Sequence, residues 1–328
     1  MTMKRRIVKP GGTKPRSLKT TDGSMLDQLA TEQPNPESAD LDLKSSLEIA
    51  EIINAEDATV AATVRKALPQ IARGIDWIAA ALSSGGRLIY VGTGTSGRLA
   101  ALDAAECPPT FNTDPNLVQF VMAGGAKALA ASVEADEDSR ALGVREIRKR
   151  RPTRKDVVIG VAASGRTPFT IAAVKYARSR EAKTIAVTCN PDSALEKAAE
   201  LGIVVETGAE VVSGSTRMKA GTAEKMVLNM LSTGAMVRMG LVYGNLMVNL
   251  HQKNSKLAAR AVTIVERALR VDSDQARKAL KSSAGNVPVA IVMETAGMNR
   301  KEAQRTLKSA KGHVRRAVEH AKAKKPPL

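Results

Sequence analysis

The sequence predicts an α/β protein, a doubly wound parallel sheet followed by a small helical domain, and three observations carry that expectation. Short apolar runs of strand length, at 87–91, 117–122, 156–161, 184–188 and 203–205, alternate with stretches of helical spacing. Strands that alternate with helices give a parallel sheet covered on both faces. Small, hydroxyl-rich glycine loops follow the first and third runs, where ligands bind in such sheets. Beyond Lys256 the strand signal stops, and short helical stretches follow with polar breaks near Asp272, Gly285 and Asn299.

In chain order, residues 1–24 are rich in Gly, Pro, Lys, Arg and Thr and read as a disordered basic extension. Leu43, Leu47, Ala50 and Ile53, then Val60, Val64, Leu68, Ile71, Ile75, Ile78 and Leu82, recur at helical spacing and predict packed helices before the first strand. The α/β domain is expected over 25–255, the helical domain over 256–320, and a basic tail over 321–328.

Hydrophobic residues make up 43% of the 328, so a sizeable core is within reach, but only 2% are aromatic. That core is built from Ala, Val, Ile, Leu and Met. No apolar run approaches the ~18 residues of a membrane span. The basic N-terminus lacks the apolar segment of a secretory signal. Cys107 and Cys189 are the only cysteines, so no disulfide framework exists and a reducing compartment is expected. A soluble, cytoplasmic protein is the resulting expectation.

The formal charge of +17 raises nucleic-acid binding, and its distribution argues against it. Residues 1–24 carry seven Lys/Arg and one acid, and residues 253–328 carry 18 and six. Those segments, at +6 and +12, leave −1 for residues 25–252. No Phe, Tyr or Trp follows Tyr243, so the basic C-terminal part lacks the stacking aromatics that nucleic-acid binding uses. No nucleic-acid partner is expected. His251, His313 and His320 lie far from both cysteines and from the glycine loops, so no metal-ligand spacing and no Ser/His/Asp set is present.

Gly92, Gly94 and Gly97 match G-x-G-x-x-G between strand and helix, which raises a dinucleotide site. Such a site wants an acid at the end of the second strand, and this one ends Val121, Met122, Ala123, Gly124, Gly125. Thr93, Thr95 and Ser96 instead crowd the loop with hydroxyls, which suits a monophosphate or a sugar. The loop after the third strand repeats the chemistry with Ser164, Gly165, Arg166 and Thr167. A third segment, 210–222, holds Ser213, Ser215, Thr216, Arg217 and Lys219 ahead of a methionine-rich helical run. Hydroxyls, backbone N–H groups and cations at a helix N-terminus fit an anionic ligand. Tight turns are the ordinary use of any one such loop; three together favour a binding site.

Glu106 is flanked by Ala105, Cys107, Pro108 and Pro109, which reads as a turn that desolvates the carboxylate when it packs inward. Desolvation raises a carboxyl pKa and suits a general acid. A local cap or ion pair is the commoner fate of a lone Glu. Glu134, Asp136, Glu137 and Asp138 form a second acidic cluster. On composition alone it reads as a solvated turn, and nothing chooses among its acids.

The blocks 88–111, 133–139, 162–168 and 210–245 together resemble, in order and spacing, the N-acetylmuramic acid 6-phosphate etherases, a family related to the glucokinase regulatory proteins. The likeness covers roughly residues 40 to 320. It implies a sugar isomerase (SIS) α/β sandwich with a small helical domain, acting as a homodimer on a sugar phosphate, without a cofactor or metal. The family cleaves the ether between D-lactate and C3 of N-acetylmuramate 6-phosphate, giving N-acetylglucosamine 6-phosphate in cell-wall recycling. By resemblance, Glu106 is the catalytic acid and Glu137 the second catalytic carboxylate. Thr95, Ser96, Ser164, Arg166 and Thr167 are then substrate contacts, with Ser215, Arg217 and Lys219 closing the site. The chain departs from the family pattern at Ala135 and Asp136, which stand where the family has Gly and Ala. The rival reading is a non-catalytic sugar-phosphate sensor, since the glucokinase regulatory proteins share the 213–219 signature. A sugar-phosphate isomerase is a weaker third.

Overall fold

The computed structural model describes residues 29–131, 136–250 and 255–323. The expected basic extension, Glu134 and most of the C-terminal tail lie outside them.

Three helices lead into the sheet: α1 (Ser46–Ala58), α2 (Val60–Lys66) and α3 (Leu68–Ser83). Ser45 starts α1 with a capping box, its hydroxyl receiving the Glu48 N–H while Glu48 takes the Ser45 N–H. The expected apolar stripe holds from Val60 onward at Val60, Val64, Ile71, Ile78 and Leu82, which are buried, with Ile75 half-buried and Leu68 exposed. It fails at Leu43 and Leu47, which are 80% and 68% exposed. Those residues precede the point where the helices reach the sheet, so one chain offers them nothing to pack on.

The sheet has five parallel strands: β1 (Leu88–Gly92), β2 (Val118–Met122), β3 (Val157–Val161), β4 (Lys183–Thr188) and β5 (Leu201–Val204). Their order is β2-β1-β3-β4-β5. The chain therefore winds one way from β1 to β2 and the other way from β3 onward. The switch point lies between β1 and β3, and the crevice outside their carboxyl ends is where such sheets take ligands. β1 and β3 are buried at every residue, which is why both read as unbroken apolar runs.

Successive strand residues alternate between two cores. Leu88, Tyr90, Val157 and Ile159 pack under α3, α4 (Gly94–Phe111) and α8 (Lys219–Arg238). Ile89, Val91 and Val158 face α5 (Arg140–Arg150) and α6 (Pro168–Ser179). A short α7 (Ala194–Ala198) covers β4. Buried Asp103 ties the first layer together. It accepts from the Tyr90 hydroxyl at 2.7 Å, Asn229 Nδ2 at 2.7 Å and Ser232 Oγ at 3.0 Å, joining β1, α4 and α8.

The C-terminal helical region holds α9 (Ser255–Leu269), α10 (Ser273–Ser282), α11 (Val287–Ala296), α12 (Arg300–Ser309) and α13 (Val314–Ala323). Asp272, Asn286 and Asn299, at or beside the expected breaks, are the N-caps of α10, α11 and α12. These helices bury a core of their own, including Val265, Ile291 and Val314. Its last helix runs past the expected boundary at 320. Among the described residues no helix is long and apolar enough to cross a membrane.

One local expectation is corrected. Glu106 does not sit on an inward-packed turn. It lies inside α4, exposed, with Pro108 and Pro109 also within the helix. The prolines cannot donate to Ala104 and Ala105, but they fall in the last turn, where the chain is about to leave the helix at Asn112 in the left-handed region.

Candidate active site

The site forms at the switch point. β1 ends at Gly92 and the chain turns through Thr93 into α4. Gly97 must lack a side chain: a Cβ there would lie 2.9 Å from the Gly92 carbonyl oxygen and from Met122 Cγ. The helix N-terminus is thereby drawn tightly onto the sheet. Thr93, at the N-cap, does not cap with its side chain. Its hydroxyl instead donates to Glu137 Oε2 at 2.9 Å. The N–H groups of Gly94, Thr95 and Ser96 precede the first bond of the helix, from Gly97 to the Thr93 carbonyl, and offer the positive end of the helix dipole to an anion.

Glu137 is held from two sides. Its carbonyl accepts the N–H of Phe169 at 3.0 Å, anchoring it to the start of α6. Its carboxylate reaches across to Thr93. The loop after β3 completes the crevice. Ser164 Oγ accepts the Arg166 N–H at 3.3 Å. Gly165, at φ +66, packs so closely that a Cβ would lie 2.3 Å from Ser193 Oγ. A cavity of about 600 Å³ opens here, its walls including Glu137, Arg140, Ser164, Arg166, Thr167 and Lys175. Three cations and two hydroxyls around two carboxylates, Glu137 and Asp138, suit a phosphorylated, hydroxyl-rich ligand. Arg140 and Lys175 were not anticipated; their helical context gives no motif to mark them.

The segment 210–222 reaches the same end of the sheet by a different route. Buried Glu210 accepts the N–H groups of Lys219 and Ala220 at 3.0 and 2.9 Å and so caps α8 from nine residues upstream. Burial raises the Glu210 pKa, opposed by those backbone bonds. The N-terminal turns strap the loop: Ser38 Oγ donates to the Val211 carbonyl at 2.7 Å and Ser213 Oγ to that of Gln33 at 3.4 Å. Thr95 meets the loop's far end, its methyl 3.4 Å from where a Cβ on Gly221 would stand. Ser215 is half-buried and Arg217 exposed, and neither lines the cavity. Lys219 points away from it, its ammonium paired in a buried site with Glu56 of α1.

Ser96 is nearly buried, and its hydroxyl bonds Glu224 Oε1 at 2.9 Å. Glu224, on the second turn of α8, is 1% exposed, and burial pushes its carboxyl from an ordinary 4.5 up to about 8. Sequence reading missed it. The signal was present, because Ala220, Glu224, Val227, Leu228 and Leu231 share one buried helical face and Glu224 is the acid among them.

Glu106 stands apart from this cluster. It is 12 residues along α4 from Gly94, or about 18 Å at 1.5 Å per residue. Gly94, by contrast, is in contact range of Glu137, whose Oε1 lies 3.3 Å from the position of a Cβ there. A single copy therefore brings Glu137, Ser164, Arg166 and Thr167 together around one cavity, which Thr95, Ser96 and Glu106 do not line. The thiol of neighbouring Cys107, buried and near Asp103, is pushed up to about 12.

Two family models match the chain, the glucokinase regulatory protein N-terminal SIS domain over residues 70–178 and the SIS domain over residues 149–234. Among curated proteins, the N-acetylmuramic acid 6-phosphate etherase of Streptomyces avermitilis is 49% identical over 293 residues, covering 89% of this chain and 94% of that protein. The protein of the same name from Escherichia coli O81 is 49% identical over 90% of this chain and 99% of its own length. Among solved structures, the phosphoheptose isomerase GmhA of Neisseria gonorrhoeae overlays 58% of this chain and 98% of its own with a TM-score of 0.47 at 16% identity. At half-identity over nearly the full length of both etherases, the chain belongs to the N-acetylmuramic acid 6-phosphate etherase family.

Proposed function

We propose that the protein cleaves the D-lactyl ether of N-acetylmuramic acid 6-phosphate, giving N-acetylglucosamine 6-phosphate and D-lactate in cytoplasmic cell-wall recycling. The observation that carries this reading is the cavity at the switch point, where Glu137 faces Ser164, Arg166 and Thr167 beside the N-terminus of α4. The phosphate is held by the helix N–H groups and the loop hydroxyls.

With the sugar ring open, the C2 proton is alpha to an aldehyde and acidic enough for a carboxylate to remove. Glu137 takes that proton. The C3–O bond breaks, the electron pair leaves with the lactyl oxygen, and a general acid protonates that oxygen as D-lactate departs. Water then adds to C3 of the unsaturated aldehyde and a proton returns to C2. The sum is ether hydrolysis carried out as elimination and addition. Both proton steps are met by carboxylates.

Glu106 is the acid in this reading, and it must come from a second copy. Its own chain holds it about 18 Å from Gly94 along α4, beyond the reach of a glutamate side chain. On α4 it is bordered by exposed Leu102, Ala105 and Pro109, an apolar face with a carboxylate at its centre. Covering that face in a homodimer would desolvate Glu106, the setting that suits a general acid. Exposed Leu43 and Leu47 add apolar surface for the same purpose.

The protein should release D-lactate from N-acetylmuramate 6-phosphate without added metal or nucleotide. Run in heavy-oxygen water, the reaction should put the label on the sugar and none on the lactate. Binding without lactate release would favour the sensor reading, and label in the lactate would rule out elimination.

A further inference from the structure

The Glu224–Ser96 pair lies at the N-terminal turn of α4 and has no place in the proton transfers above. Ser96 is the third residue of α4, and its hydroxyl bonds Glu224 Oε1 at 2.9 Å. The other carboxyl oxygen, Oε2, is buried and has no hydrogen-bond partner among the described residues. A buried carboxylate leaving one oxygen unsatisfied is costly, whereas a carboxylic acid needs far less from its surroundings. A serine hydroxyl has one proton to give. If Glu224 is ionised, that proton is spent on it, and only lone pairs of Ser96 face the anion site. If Glu224 carries a proton and donates it, the Ser96 proton is released toward the ligand.

We propose that Glu224 is a positioning residue that donates its carboxyl proton to Ser96 Oγ, turning the serine hydroxyl outward as a donor to the substrate phosphate. The proposal rests on the reading of this site as a sugar-phosphate site. It makes phosphate binding depend on a proton held one layer below the ligand.

The surroundings leave Glu224 as the titrating member. Cys189, after β4, feels the Glu224 charge, and burial, the larger cause, keeps its thiol well above its ordinary pKa. Glu210 is occupied capping α8, and Lys219 is paired with Glu56. Lys225, next in the helix, is exposed, and Glu137 is on the far side of the turn, bonded to Thr93. The carboxyl's upward shift to about 8 has burial as its first cause, with the Ser96 bond opposing it. The second ionisation of a phosphate monoester, near pH 6, is complete before Glu224 titrates.

The test is calorimetric titration of the full-length protein with N-acetylglucosamine 6-phosphate from about pH 7 to about pH 9. If only the protonated form binds, the apparent Kd scales with the inverse of that fraction, so wild type should bind about tenfold more weakly at the upper pH. Glu224→Gln keeps the shape and supplies a permanent N–H donor, so it should bind as wild type does at neutral pH and lose the pH dependence. Ser96→Ala should bind weakly at both ends and also lose the dependence. A Glu224→Gln protein that keeps the wild-type pH profile would overturn the proposal, as would a flat wild-type profile. D-lactate release measured in parallel separates the two readings: a flat profile with lactate release sinks only the Glu224 role, and a steep profile without release sinks only the reaction. Failure to bind the sugar phosphate at all would sink both.

Discussion

Glu106 and Glu137 are the two carboxylates that the family resemblance singles out, yet the chain gives them opposite settings. Glu137 is pinned by Phe169 and Thr93 beside the α4 N-terminus, while Glu106 is exposed on the far part of that helix. Their variants should therefore fail differently. Glu106→Gln should lose lactate release yet still exchange the C2 proton with deuterated solvent, because the base remains. Glu137→Gln should lose both, and normal exchange in that variant would move the base to Asp138 or Glu134. Glu224 has a measurable stability signature too. The folded chain keeps a proton that the unfolded chain releases, over a window from about 4.5 to about 8. The unfolded state binds fewer protons there, so stability should fall as pH rises across the window. Denaturant midpoints for wild type should decline from pH 5 to 8 more steeply than for Glu224→Gln, and parallel curves would refute the buried acid. Of the loop residues that the sequence singles out, Ser164, Arg166 and Thr167 line the cavity. Glu224 was not legible, because a polar residue in an apolar stripe announces burial and not its partner.

At the scale of elements, the strands were the most legible part. Strands buried on both faces leave uninterrupted Val, Ile and Leu runs, and each predicted run lies within a residue or two of an observed strand. Helix starts in the C-terminal region were legible through Asp272 and Asn299, whose side chains bond the N–H three residues on. Pro108 and Pro109 misled, since prolines in a helical last turn look the same in sequence as prolines in a turn. The strap of residues 30–43 over the 210–218 loop was invisible, because its bonds join residues more than 170 apart. The β3–α6 loop offers the sharpest element-level test. Gly165 is at positive φ with Ser193 against it, so Gly165→Ala meets both backbone strain and a steric clash. A loss of about 1–3 kcal/mol in denaturant unfolding is expected, together with weaker sugar-phosphate binding. An unchanged midpoint would show that the loop has slack that its contacts do not suggest.

For the whole molecule, the cavity, the α4 N-terminus and the strapped loop all lie at one end of the sheet, and Glu106 lies nearer the other. The central claim is that ether cleavage uses both glutamates and that a second copy completes each site. Glu106→Gln and Glu137→Gln chains carrying different tags, co-expressed and purified as the mixed species, test it directly. In a mixed dimer one site has an intact Glu137 facing an intact Glu106 from the other copy, and the second site has neither. One working site of two should give about half the wild-type rate of D-lactate release, while each parent variant gives none. Mixed dimers as inactive as their parents would contradict the shared site, and mixed dimers that do not form would contradict the assembly itself.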